Sequence, residues 1–477
     1  MEYSNYKINM MTKLIGTNRV LLILVGLLLT FNLSYAKGGN YETQRPPLKE
    51  RNFTSKAVDQ AIAKVKKQIK DEKLAWMFEN TFPNTLDTTV EFEMKDGKPD
   101  AFVITGDIHA MWLRDSSAQV YPYVKFVNKD PKLSLLIEGV IRRQTEQIIV
   151  DPYANAFNKE ATGSEWESDE TPKKLKEVHE RKWEIDSMCY PIRLAYAFWK
   201  ESGVVSAFDE NWVSAMRNVL QTFKEQQRKD NLGPYYFLRV TDRQGDTLLN
   251  KGYGSPVKPV GLICSSFRPS DDATLLNFLI PSNLFAVESL NQMSEILSEV
   301  CGENELAAEA KALSKEVYDA VMKYGVFEHP VHGKVFAYEV DGFGNALFMD
   351  DANVPSLLSL PYLCSFIAKD DPIYLNTRSL VWSESNPYFF KGTAAEGIGG
   401  PHIGFNYVWP MSIIMKAITS TSQEEIDACI ETLRNTDGNT GFMHESFNKD
   451  NPDDFTRFWF AWANTLFGEL IYNQYAK

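Results

Sequence analysis

Gly106-Asp107-Ile108-His109-Ala110-Met111-Trp112-Leu113-Arg114-Asp115-Ser116-Ser117-Ala118-Gln119 is the stretch from which the rest of the chain can be read. Upstream, two strand-like runs at 90–94 and 101–105 flank Asp96-Gly97, the pattern of a hairpin. Downstream, an apolar run over 120–127 is interrupted by Pro122. A polar loop between a strand and a helix start is where sites are built, because the flanking elements hold it rigid. Trp112 offers a flat apolar face suited to a pyranose ring, and Arg114 and Asp115 can grip hydroxyls through charge-assisted hydrogen bonds. The same local chemistry also describes a structural Arg–Asp pair beside a packed tryptophan.

Composition narrows the field. With 477 residues, 44% of them hydrophobic, the chain can bury a large core. Length alone suggests roughly three domains, a rule that single toroids and barrels exceed. The 10 Trp and 21 Tyr suit carbohydrate surfaces, although the same side chains fill ordinary cores. A net charge of −13 argues against nucleic acid, which needs a basic footprint, and is compatible with a neutral glycan. In residues 1–36, Lys7, Lys13 and Arg19 precede an apolar core at 20–29, and Ser34-Tyr35-Ala36 supplies small residues for cleavage after Ala36. This is the pattern of a secretory signal peptide, so a secreted, periplasmic protein is expected, with no membrane segment after cleavage. The apolar run is short of the roughly 20 residues a bilayer needs, which weighs against a retained anchor. Cys189, Cys264, Cys301, Cys364 and Cys429 are odd in number and widely spaced, so buried free thiols are expected rather than a disulfide framework.

Residues 37–53, with Pro46-Pro47, read as a linker, leaving 54–477 as one domain. Ser55 can cap a helix running to about 78, with Ala57, Val58, Ala61, Val65 and Ile69 as its stripe. Residues 133–149 are helical again. The polar stretch 151–171, containing Gly163 and Trp166, is too long for a simple connector and is expected to form a lid or pocket wall. Trp183-Glu184-Ile185-Asp186-Ser187-Met188-Cys189-Tyr190-Pro191 opens another helix, with Pro191 in its first turn and Asp186 at or just before its start. Further helices are expected over 205–227, from Asp272 to Val300, and over 303–323, 354–367, 405–418 and 423–435. A last one begins at Phe455, where Phe458, Trp459, Trp462, Leu466 and Leu470 share an apolar face. Hairpins are expected at 235–250 around Gly245 and at 331–349 around Gly342 to Gly344. Helices without βαβ alternation imply an all-α core with short β-hairpin decorations. No repeat is present to suggest a solenoid.

A sugar-cleaving site needs two carboxylates, one acting as acid and the other as base or nucleophile. Acids in polar and aromatic loops at helix starts are Asp107, Asp115, Asp186, Asp271, Asp272, Asp350, Asp351, Glu396 and Glu445. Each can equally be a helix cap, since Asp is a preferred capping residue. Asp186 stands out for its apolar company, Trp183, Ile185, Met188 and Tyr190, which would raise its pKa by desolvation. A helix N-terminus pulls the other way, and the sequence leaves that balance open. Glu445 stands out beside Met443, His444 and Phe447 in a glycine-bearing loop. His329-x-x-His332 lacks an acidic ligand set and is not read as a metal site. His109, His402 and His444 are read as hydrogen-bonding groups. No Walker loop, dinucleotide fingerprint or nucleophile elbow is present.

The run HAMWLRDSSAQVYPY, with WEIDSMCY, MHESF and FTRFWFAWANTLFGEL, resembles glycoside hydrolase family 125, bacterial exo-α-1,6-mannosidases built on an (α/α)6 barrel. The resemblance spans most of the chain after residue 54. It implies six inner and six outer helices, no metal, no cofactor, and inverting release of terminal α-1,6-linked mannose from a mannoside or N-glycan fragment. It further implies Asp186 as the acid that protonates the leaving oxygen and Glu445 as the base that activates water. Trp112, Arg114, Asp115, Arg268, Asp351, Asn353, Glu396, His402 and His444 would then form the sugar pocket. Rival readings are another (α/α)6 glycosidase, such as a glucosidase, and a non-catalytic glycan-binding protein, which would need no opposed carboxylates.

Overall fold

Short polar side chains start many of the helices. Ser55 accepts a hydrogen bond from the Val58 amide, Asp71 from Leu74, Asp130 from Lys132 and Leu133, and Asp209 from Asn211 and Trp212. Asp371 and Ser422 cap two later helices in the same way. Each such cap contributes about 1 kcal/mol by satisfying an orphan amide. The computed structural model describes residues 41–476. The segment 1–36, expected to be a signal peptide, lies outside them.

Twelve α-helices of eight or more residues follow in order. They are α1 Lys56–Lys66, α2 Glu72–Thr81, α3 Leu113–Val120, α4 Pro131–Val150, α5 Ile185–Ser202 and α6 Glu210–Gln226, then α7 Ile280–Ile296, α8 Asn304–Tyr324, α9 Pro372–Val381, α10 Pro410–Ile418, α11 Gln423–Asn435 and α12 Ala461–Tyr475. They fall into two kinds. Every residue of α3 is buried, as are the first eleven residues of α5, α7 and α12. A helix apolar or buried all round belongs in the interior. By contrast α1, α6, α8 and α11 bury one stripe and wet the other face. Interior and one-faced helices pair, α7 with α8 and α10 with α11, while α3, α5 and α7 touch in series. α12 closes against α2, α3 and α10. Two layers of helices around one core result.

Short antiparallel strands decorate the helix ends. β1 Val90–Lys95 pairs with β2 Lys98–Val103, and Asp96 and Gly97 turn with φ 50° and 77°. Both lie in the left-handed region that a tight hairpin requires. β3 Met111–Trp112, β4 Ala156–Phe157 and β5 Val178–Glu180 make a three-stranded patch, which ties part of the 151–171 segment beside the WLRD run.

Several expectations change. The helix expected to run from 55 to 78 is two helices, because Asp71 caps a fresh start. Of the linker expected over 37–53, the residues from Thr43 onward belong to the compact unit: Arg45 Nε donates to Asp87 Oδ2 at 2.7 Å, and Phe53 is buried. Pro191 lies inside α5, not in its first turn. No hairpin forms at 235–250, where Asn250 and Lys251 take left-handed φ and Leu238 bridges Glu170 instead. Of 354–367 only Leu360–Leu363 is helical, since Asp350 accepts the Leu357 and Leu358 amides and Ser356 and Ser359 bond each other's backbone. Such side-chain bonds offer the backbone an alternative to helix. Phe455 and Thr456 form β7 Phe455–Thr456 against β6 Ser446–Asn448, so the last helix starts at Ala461. All five cysteines are free, and Cys301 is only half-buried. Among the described residues no helix is long and apolar enough to cross a membrane.

Candidate active site

Loops at several helix starts converge on one pocket. β3 and the start of α3 bring Trp112, Arg114 and Asp115, with the Leu113 amide fixed on the Asn155 carbonyl at 3.0 Å. The turn Arg268–Asp272 brings Ser270 and Asp271; it is closed by Arg268 N donating to Asp272 O and Asp271 N donating to Arg268 O. Glu445 arrives just before β6, and Arg457 just after β7. The pocket lining therefore combines aromatic rings, Trp112, Trp409, Phe460 and Trp462, with the carboxylates Asp115, Asp271 and Glu445. Arg114, Arg457 and His402 supply the bases.

Arg114 is the electrostatic centre. Nη1 lies 2.5 Å from Glu184 Oε2 and 3.4 Å from Asp186 Oδ2, Nη2 lies 3.4 Å from Asp271 Oδ1, and Nε lies 3.4 Å from Asp115 Oδ2. One guanidinium cannot neutralise four acids. Burial accordingly lifts Asp115 and Asp186 each to about 6, and Glu184 well above the carboxylate range. At Asp271 burial also pushes upward, but Arg114, Lys182 and a hydrogen bond with Glu184 outweigh it and hold this carboxyl low. Its side chain keeps 28% of its surface, against none for Asp186.

The expected site residues separate on this geometry. Trp112, Arg114, Asp115, Asn353, His402 and Glu445 all line the pocket. Asp186 does not: it sits in the first turn of α5, fully buried behind Arg114. Burial rather than the helix terminus wins the contest over its pKa. Arg268 is buried in an ion pair with Glu339 at 2.6 Å, off the pocket wall. Asp351 is likewise behind the wall, where it accepts from Ser270 Oγ at 2.8 Å and from the Asn353 amide at 3.2 Å, so it orients two residues that do line it. Glu396 belongs to a separate cluster, accepting from Trp382 Nε1 and pairing with Lys391 and Lys416. His444 stacks on Phe455 at 3.6 Å and reaches the Asp437 and Arg457 carbonyls, fixing the loop on which Glu445 stands. The 151–171 segment is not a wall of this pocket; its Trp166 lies against Arg239.

The sequence reading missed Trp409, Arg457, Phe460 and Trp462 as pocket residues and did not single out Asp271. Trp409, immediately before Pro410, carried a helix-start signal, whereas Arg457 was hidden in a stretch read as helix. Glu445 Oε1 stands 3.4 Å from Nη1 of Arg457, whose Nη2 and Nε hold Asp107. His402 Nδ1 lies 3.3 Å from Asp272 Oδ1; burial opposes its charge, yet that contact raises its pKa overall.

Among the described residues, Trp112 Nε1, Trp409 Nε1 and Thr105 Oγ1 of the pocket are buried with no hydrogen-bond partner, and Arg114 Nε and Asp115 Oδ2 have only each other, as an ion pair. Buried polar groups are ordinarily satisfied. Donors and acceptors set among aromatic faces suit a polyhydroxylated ring. Among the described residues no group of three or more His, Cys, Asp or Glu is placed to hold a metal ion.

A helix-built core with carboxylates and aromatic rings lining one pocket has the composition of a glycoside hydrolase site. The sequence pattern of the family described as metal-independent α-mannosidase (GH125) matches residues 71–472, and the chain belongs to that family. It is 43% identical over 448 residues to the meiotically up-regulated gene 157 protein of Schizosaccharomyces pombe, covering 90% of this chain and 87% of that one. Among solved structures it is similar to a metal-independent α-mannosidase of Streptococcus pneumoniae, a non-productive substrate complex with α-1,6-mannobiose. The identity is 40%, the TM-score 0.85, and 89% of this chain and 99% of that one are covered.

Proposed function

We propose that the protein is an exo-acting α-mannosidase that removes terminal α-1,6-linked mannose with inversion, using Asp271 as acid and Glu445 as base. The observation that carries the pair is that both carboxylates line one aromatic pocket, while Asp186 does not. Family membership and the mannobiose complex of the pneumococcal relative support the sugar and the linkage. In this reading the terminal mannose rests on the aromatic rings, with its hydroxyls taking up the free Trp112, Trp409 and Thr105 groups. Asp271 gives its proton to the glycosidic oxygen as the C1–O bond breaks and the bonding electrons pass to that oxygen. Water attacks C1 from the opposite face and loses a proton to Glu445, which Arg457 steadies. Inverting enzymes hold the two carboxyls roughly 6.5–9.5 Å apart to admit that water.

We further infer that the two kinds of helix form the inner and outer rings of an (α/α)6 barrel, a reading supported by the α7–α8 and α10–α11 pairs. Export is inferred from the pattern of residues 1–36 alone. The test is digestion of α-1,6-linked mannobiose and of a longer mannan. Free mannose as the sole product supports the proposal, whereas oligosaccharides cut from the interior, or no cleavage at all, overturn it.

A further inference from the structure

Glu184 is accounted for neither by the sequence reading nor by the opposed pair. It occupies the N-cap position of α5, yet its side chain makes no capping bond and is fully buried. Its Oε2 accepts from Arg114 Nη1 at 2.5 Å and from Ser187 Oγ at 2.8 Å. Its Oε1 has no donor among the described residues, while the Glu184 and Asp271 carboxyls share both a hydrogen bond and the Arg114 guanidinium. Two carboxylates can bond in this way only with a proton between them, because an ionised carboxylate is an acceptor alone. The surrounding charges agree. Arg114 faces Asp115, Glu184, Asp186 and Asp271 together. The next cation, Lys182, is shared with Glu180 and Asp246 and donates to the Asp271 carbonyl at 2.9 Å. Tyr235 borders Glu184, and His402, whose pKa is raised through Asp272, also faces Asp271. So many buried acids around so few cations retain a proton at neutral pH. With both donors on Oε2, Oε1 is the oxygen left to carry it. Asp271 meanwhile is held at φ 68° in a turn latched at both ends, with Glu184 beside it and the pocket in front.

We propose that Glu184 is a positioning residue that stores the proton Asp271 delivers, so that the acid of this site is a two-carboxyl unit, a role that rests on the reading of Asp271 as the acid. The proton on Glu184 Oε1 passes along the shared hydrogen bond to Asp271, and from there to the leaving oxygen. Both carboxylates are left ionised against Arg114 and Lys182 while Glu445 holds the proton taken from water. Solvent then carries one proton from Glu445 back to the pair, and the charges balance. The arrangement explains how a carboxylate held low by Arg114 and Lys182 can still act as an acid.

The experiment compares wild type, Glu184→Gln and Asp271→Asn on α-1,6-linked mannobiose and on dinitrophenyl α-mannoside, whose leaving group departs without protonation. kcat and KM are read separately across the pH range. Gln can donate to Asp271 but cannot give up a proton. Glu184→Gln should therefore lower kcat on the mannobiose by about a hundredfold, at least tenfold more than on the aryl mannoside, with KM little changed. The alkaline limb of its kcat/KM profile should also move to lower pH. Equal losses on both substrates, or a wild-type alkaline limb, overturn the role of Glu184. If Asp271→Asn itself shows no leaving-group selectivity, the reading of Asp271 fails instead, so the two failures are distinguishable. Should Glu184→Gln not fold, Ser187→Ala serves: losing a donor to Oε2 should move the alkaline limb upward, and an unmoved limb overturns the proposal.

Discussion

Arg114 Nη1 lies 3.4 Å from Asp186 Oδ2, and Arg114 lines the pocket while Asp186 does not. The guanidinium thus stands between this carboxyl and any substrate. Asp186→Asn should therefore leave turnover within about tenfold of wild type, whereas Asp271→Asn and Glu445→Gln should each cost two orders of magnitude or more. Steady-state kinetics on the mannobiose decides the matter. The reverse ranking of the two aspartates would return the acid role to Asp186.

The stereochemistry follows from the opposed pair. With water entering on the Glu445 side, the first product from an α-linked substrate should be β-mannose, seen by proton NMR before mutarotation. α-Mannose as the first product would mean a covalent intermediate and a different job for Glu445.

Turnover should survive exhaustive chelation. The acids of the pocket are engaged with Arg114 and Arg457, and among the described residues no three His, Cys, Asp or Glu are placed to hold a metal ion. Loss of activity with chelator and recovery with calcium or zinc would contradict this.

Asp350 provides a stability signature. Burial, opposed only in part by the Leu357 and Leu358 amides, raises its pKa from 3.8 to about 8. Between those values the folded state holds a proton that the unfolded chain has released, so this group's contribution to stability falls as pH rises. Asp350→Asn removes the titration. Its melting temperature relative to wild type should therefore climb from mildly acidic to mildly alkaline buffer, whatever constant offset the new amide introduces. A difference that stays flat with pH would show that Asp350 does not titrate in this window.

Gly468 in α12 lies so close to α2's C-cap that a Cβ would sit 2.7 Å from Phe82 Cα, a backbone atom that cannot swing aside. Gly468→Ala should destabilise by about 1–3 kcal/mol, the usual cost of overpacking, read by chemical denaturation. An unchanged midpoint would mean that α12 shifts freely.

Local signals were legible where they were decisive. α11 occupies its expected span, and α4 and α8 differ by a residue or two, because caps and apolar stripes agreed there. Expectation failed where side chains bond backbone, as at Ser356 and Ser359, or where aromatic residues imitate a helical face, as at Phe455 and Phe458. At the site, Trp112, Arg114, Asp115 and Glu445 could be read from their loops. The apolar neighbours of Asp186 correctly signalled burial, but burial does not say which way a carboxyl faces. Asp271 gave no such signal, since its position depends on a left-handed turn and on Lys182 and Arg114 arriving from elsewhere.

The closure of α12 on the early helices has a consequence for how the enzyme comes into being. Arg457 meets Asp107 across 350 residues, and the Thr85 and Thr465 hydroxyls meet at 3.0 Å across 380. A ribosome that has already made Arg114, Glu184 and Asp271 has yet to make Glu445, Arg457 and the tryptophan that completes the aromatic lining. On the proposed assignment, the half-made chain carries an acid without its base. Contacts so distant in sequence also form late and slowly. Activity thus switches on only when both ends of the fold have met, and any fragment clipped ahead of Glu445 stays silent.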